Sequence, residues 1–206
     1  MTNDIEEIIL DSLKELIGLA CINDPKSESK SKLVYPIKRD DKRRVSEQEI
    51  RFLFVKNIEN KSDYLYSVEV PTSKKYFFTG KEENKRSGNF DVCLYGENKK
   101  RKHLIEFKSL NPKNASYHKD FEKLIKDEDG LTNYFIQVII NSDKGTLPSI
   151  EKKYKEGIQN AISSNLNNRN KSRLVIFLCE IGDNKRILKY EVIDNSLANP
   201  NQLYPN

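Results

Sequence analysis

The segment that most restricts the fold is residues 134–141, YFIQVIIN, a nearly continuous apolar run rich in β-branched side chains. A strand that faces water on one side alternates polar and apolar residues, whereas a run like this belongs to a strand buried on both faces. Such a strand needs neighbours in a sheet and helices to cover it. The surrounding sequence supplies both.

Residues 4–17 place Ile5, Ile8, Ile9, Leu13, Leu16 and Ile17 at helical spacing, with Gly18 as the expected stop. A second helix starts at Ser46, where the hydroxyl caps the first turn and Glu49 reaches back in a capping box, ahead of Ile50, Leu53, Phe54 and Ile58. Residues 64–71 alternate as a strand with Tyr64, Tyr66, Val68 and Val70 on one side. The runs 90–95 and 103–110, split by a polar turn at 96–102, form a hairpin. Helices are expected at 117–126 and 150–163, and strands at 173–181 and 187–193. The resulting fold class is α/β, a mixed central sheet flanked by helices. The organisation read from the chain is an N-terminal amphipathic helix (1–21), a basic linker or arm (22–45), a core (46–193) and a frayed C-terminal tail (194–206).

Thirty-six Lys and Arg against 31 Asp and Glu leave a net charge of +5, compatible with a polyanionic partner without requiring one. Residues 38–44, KRDDKRR, read as a solvated charge run or a phosphate-contacting arm. Cys21, Cys93 and Cys179 have no paired spacing, so neither a disulfide framework nor a zinc site is expected, and Cys93 and Cys179 read as small buried hydrophobes. His103 and His118 lack a nucleophile or ligand partner in sequence and read as turn and surface residues. No stretch approaches the ~20 apolar residues of a membrane span. A soluble, cytoplasmic protein is expected.

Chemistry concentrates in residues 87–111, SGNFDVCLYGENKKRKHLIEFKSLN. Glu106 and Lys108 stand two apart in an apolar strand, so their side chains share a face while Phe107 points to the other. Other Glu-x-Lys triplets in the chain, such as Glu83 with Lys85 and Glu97 with Lys99, lie in polar segments. With the turn centred between Asn98 and Lys99, Asp91 falls opposite Glu106, with Cβ atoms about 5 Å apart. Two carboxylates so placed repel each other unless a cation lies between them, and their oxygens suit Mg²⁺ or Mn²⁺. The blander reading of the same residues is a cross-strand salt-bridge cluster on a solvated face.

Asp91, fourteen intervening residues and the triplet Glu106-Phe107-Lys108 resemble the active-site motif of the PD-(D/E)XK nuclease superfamily, with Phe90 where the motif name has proline. The resemblance implies a restriction-endonuclease-like core, Asp91 and Glu106 as metal ligands, the Phe107 carbonyl as a further ligand, and Lys108 orienting the attacking water. Many members also carry a helix glutamate ahead of the first core-facing residues. Glu47 matches that place better than Glu49, because it lies about 60° from Ile50 on the wheel while Glu49 is needed for the cap. Lys74, Lys75, Lys85 and Arg86 precede Asp91 and are candidates for phosphate contact. The function implied is metal-dependent hydrolysis of phosphodiester bonds in DNA, by a chain acting alone, as a homodimer or with a partner protein. The alternative is a non-catalytic nucleic-acid-binding module or nuclease subunit on the same fold.

Overall fold

The computed structural model describes residues 4–20, 32–36, 44–76, 86–128, 130–163, 172–193 and 195–205. In chain order the elements are α1 (Ile5–Ala20), α2 (Glu47–Lys61), β1 (Leu65–Tyr76), β2 (Arg86–Tyr95), β3 (Arg101–Ser109), α3 (Asn114–Lys126), β4 (Thr132–Ile139), α4 (Thr146–Ser163), β5 (Arg173–Glu180), β6 (Arg186–Ile193), β7 (Ser196–Leu197) and β8 (Asn201–Tyr204).

The strands form one mixed sheet in the order β1-β2-β3-β4-β5-β6-β7, with β8 also pairing on β6. β3, β4 and β5 run parallel and the remaining neighbours antiparallel. Parallel neighbours cannot be joined by a tight turn, and α3 and α4 provide the two crossovers. β4 lies at the middle of this order, and every residue from Asn133 to Ile139 is buried.

Two apolar layers follow from the period-two alternation of the central strands. On one face Tyr134, Ile136 and Val138 meet Ile105, Phe107 and the inward residues of α1 and α2, including Ile8, Leu13, Leu53 and Phe54. On the other, Phe135 and Ile139 meet Leu104, Ile176 and the inward residues of α3 and α4, including Phe121, Leu124, Tyr154 and Ile158. Gln137, a polar residue within this alternation, is fully buried and satisfied: its amide donates to the Leu110 carbonyl and to Tyr117 Oη, and it accepts from Tyr154 Oη.

Four local expectations change. Helix α1 continues through Gly18 to Ala20, because Leu19 extends the buried stripe. Tyr64, Tyr66, Val68 and Val70 do not share one side: Glu69 adopts a left-handed φ of 51°, which turns Val70 into the α3–α4 layer and leaves Val68 half exposed. His103 is a strand residue whose Nδ1 lies 2.7 Å from the Thr132 carbonyl, with its ring against Tyr64 and Tyr134, so it is neither turn nor surface. The C-terminal segment is not a frayed tail, since β8 completes the β6 edge. Cys93 and Cys179 are buried free thiols, as expected of small hydrophobes, while Cys21 and residues 38–43 of the basic run lie outside the described residues.

Candidate active site

The hairpin of β2 and β3 pairs Val92 with Ile105, Cys93 with Leu104 and Leu94 with His103, the expected register, but reaches it through a shift between Leu94 and Tyr95, because the pair beside the turn is Tyr95 with Arg101. One step further, at Asp91 and Glu106, the described pairing stops. There the Asp91 carboxylate takes over a main-chain role: Oδ2 accepts from the Phe107 amide at 2.7 Å. Where the two strands part, a pocket of about 400 Å³ opens. Asp91, Glu106 and Lys108 all line it, together with Glu47 from α2 and Lys119, Asp120 and Lys123 from α3.

Glu47 arrives there because Phe54, two turns on, packs edge-on to Phe107 with ring centroids 5.7 Å apart and fixes α2 over β3. Its Oε1 accepts from the Ser109 amide at 3.2 Å and lies 3.7 Å from Lys108 Nζ. Glu49 turns the other way and closes the capping box, accepting from the Ser46 amide at 2.9 Å. The two acids therefore divide the labour as the helical wheel requires.

Residues of α3 supply the partners that the sequence reading missed. Lys108 Nζ lies 2.8 Å from Oδ2 of Asp120, an ion pair by distance whose angle leaves that oxygen without an aligned donor among the described residues. Lys108 thus touches an acid from each helical layer, Glu47 on one side and Asp120 on the other. Lys123 is in ion-pair contact with Glu106 Oε1, and both are almost wholly buried, at 2% and 3% exposure. The signal for them was present. Asp120 stands three after Tyr117 and four before Leu124, on the stripe that faces the core, and a charge on such a stripe needs a partner.

Arg51 and Glu69 were also unforeseen. Arg51 donates to Glu69 Oε1 at 2.6 Å and stands 3.9 Å from Asp91 Oδ1, so it screens the outer side of the Asp91 carboxylate. Of the predicted phosphate-contact residues, Lys74 and Lys75 are exposed on the far side of the β1 bulge, with the Lys74 ammonium directed at the Lys126 carbonyl. Arg86 is exposed at the start of β2, and Lys85 lies outside the described residues. None of the three described side chains lines the pocket, whereas the exposed Lys119 does.

The electrostatics are those of crowded acids. Burial raises the Glu106 carboxyl well above the usual range and Asp120 and Asp91 add to the rise, which Lys123 offsets only in part. Burial also raises Asp91, with Glu47 adding to it, against the lowering effect of the Phe107 amide. Lys108 moves the other way: burial would lower it, but Asp120 and then Glu47 and Glu106 push it up to about 12. Five carboxyl and three ammonium groups line the pocket, with Arg51 against Glu69 and Asp91 beside it, and a cation among the crowded acids would favour their charged forms.

Among the described residues, no three His, Cys, Asp or Glu side chains are grouped as a preformed metal cage. The donor set nonetheless suits a hard cation that keeps several waters, which takes one or two carboxylates rather than a full protein shell. Asp91 and Glu106 supply two carboxylates at the pocket, Asp91 Oδ2 bound to the Phe107 amide and Glu106 Oε1 to Lys123. No family model, curated protein or solved structure matches the chain. The site must be judged on its own geometry.

Proposed function

We propose that this chain is a divalent-metal-dependent nuclease of the PD-(D/E)XK kind, hydrolysing phosphodiester bonds in DNA. One observation carries the reading. Glu47, Asp91, Glu106 and Lys108 come from three separate elements and line the same pocket, at the point where β2 leaves β3. The contacts of Glu47 with the Ser109 amide and Lys108 bring the helix acid to the strand residues there.

In this reading Asp91 and Glu106 would hold Mg²⁺ or Mn²⁺, with the Phe107 carbonyl as a further donor. Such an ion, when bound, polarises the phosphate and lowers the pKa of water at the site. The protein's own groups do the rest. Lys108 stays protonated over the whole physiological range and directs its ammonium to the attacking water. Glu47 and Asp120 hold that ammonium from opposite sides, which restricts its position as in-line attack requires. Lys119, exposed at the pocket, contacts backbone phosphates in place of Lys74 and Lys75.

A second reading rests on a different observation, the pairing of Lys123 with Glu106 and of Lys108 with Asp120. Acids already neutralised from within suit a non-catalytic nucleic-acid-binding module that keeps the fold. Cleavage of plasmid and linear DNA by the purified protein, with Mg²⁺ or Mn²⁺, separates the two. The wild type should cut, and Asp91→Ala, Glu106→Gln and Lys108→Met should not. Glu106→Gln should bind DNA as well as the wild type or better, because a negative charge facing phosphates is gone. Equal rates in wild type and variants would sink the nuclease reading.

A further inference from the structure

Lys123 is a long cationic side chain at 2% exposure on a buried helix face that it shares with Tyr117, Asp120, Phe121 and Leu124. Its ammonium contacts Glu106 Oε1, donates to the Asn89 carbonyl at 2.7 Å, and sits 5.5 Å from the Phe90 ring centroid. A second acid is within reach, since Asp120 Oδ1 is 3.5 Å away. Asp120 is itself 4% exposed, and its other oxygen has no aligned donor among the described residues.

These contacts put a single positive charge on one of the two carboxylates that the proposed metal would use. A divalent ion and an ammonium cannot both sit on Glu106 Oε1, because two cations a few Å apart in a poorly hydrated pocket repel strongly. Removing the ammonium altogether would leave the buried Glu106 carboxylate without its ion pair, while Asp120 would keep Lys108. A partner exchange lessens both costs: Lys123 keeps its Asn89 contact, releases Glu106 Oε1 and closes the 3.5 Å gap to Asp120 Oδ1.

We infer that Lys123 is a resident counter-cation of the metal site, which neutralises Glu106 in the metal-free protein and transfers to Asp120 when a divalent ion binds. The inference rests on the metal-site reading proposed above and deepens it. Metal affinity is then set by competition with an internal ammonium and not by the carboxylates alone. Lys123 is a positioning residue, and its effect belongs to metal binding before it belongs to catalysis.

The test is Mn²⁺ binding by the full chain, read from the electron paramagnetic resonance signal of free Mn²⁺. Lys123→Met and Lys123→Gln remove the competitor and should bind Mn²⁺ roughly tenfold or more tighter than the wild type. Lys123→Arg keeps the charge and should bind no tighter than the wild type. The metal-free Met and Gln variants should melt at lower temperature and gain more from Mn²⁺. If either is unfolded without metal, recovery of its circular dichroism on adding Mn²⁺ supports the exchange, and failure to recover overturns it. Wild-type or weaker affinity in both variants overturns the inference while leaving the metal site standing. Absence of Mn²⁺ binding in the wild type and in every variant removes both.

Discussion

Asp91 carries two roles that conflict in the metal-free protein. Its Oδ2 replaces a main-chain acceptor for the Phe107 amide, which favours folding, while burial and Glu47 disfavour its charge. Because its pKa is raised on folding, the contribution of this group is fully present below the unfolded value of about 3.9 and is lost as pH rises through the folded value. Asp91→Asn keeps an oxygen for the amide and removes the charge. It should therefore melt at or above the wild-type temperature near neutral pH, by about 2–4 °C for each kcal/mol of repulsion relieved. The gain should vanish below about pH 4. Thermal melts of both proteins across pH in the presence of a chelator check this, and a variant that is less stable at pH 7 would show that the carboxylate's hydrogen bond outweighs its burial. Metal binding should be absent from the variant, so that stability and function part at one atom pair.

At the scale of elements, α3 is the piece on which the site depends, and its seat is set by α4. A Cβ at Gly157 would stand 2.6 Å from Cδ2 of Phe121, the residue next to Asp120. The Phe121 ring has little freedom to move, being fully buried with centroids of Phe135 at 4.8 Å and Tyr154 at 5.8 Å. Alanine would favour the helix by about 1 kcal/mol through propensity. Overpacking the helix contact costs about 1–3 kcal/mol and should win, displacing α3 with Asp120 and Lys123. Gly157→Ala is expected to lower the melting temperature by several degrees and to reduce cleavage, although it lies on another helix and outside the pocket. A variant as stable and active as the wild type would mean that α3 accommodates the methyl group without moving the site.

For the whole molecule, a nuclease of the proposed kind would have two testable properties, ligands that bind the folded state and charge that attracts DNA. A divalent ion that binds only the folded chain stabilises it by about 2.7 kcal/mol at a hundred times its dissociation constant. Mg²⁺ or Mn²⁺ should raise the melting temperature by roughly 5–10 °C at that concentration, and a chelator should reverse it. Glu106→Gln should show no such rise. DNA binding should weaken as salt increases, and Lys119→Ala should lower the slope of log affinity against log salt by about one phosphate contact. An unchanged slope would move the DNA path away from α3. Among the described residues, no helix is long and apolar enough to cross a membrane.

The sequence by itself determined whatever depends on neighbours along the chain. The capping box of Ser46 and Glu49 and the doubly buried β4 are of this kind, because a local hydrogen-bond motif or a side-chain period suffices to place them. Asp91 and Glu106 were expected to face each other across the hairpin, but they stand one step beyond its last paired residues, and the Asp91 carboxylate binds the Phe107 amide instead. Contacts between distant segments were not legible in the sequence. Periodicity tells which face a residue occupies but not which element lies across from it, so the pairing of Glu106 with Lys123 and of Lys108 with Asp120 waited for α3 to be seated. The reversal of faces at Glu69 depends on one backbone angle that no side-chain pattern encodes. Likewise β8 is a strand only because β6 offers it an edge, and the cluster around Lys108 is a pocket only because β2 leaves β3 one residue before the hairpin's charged pair.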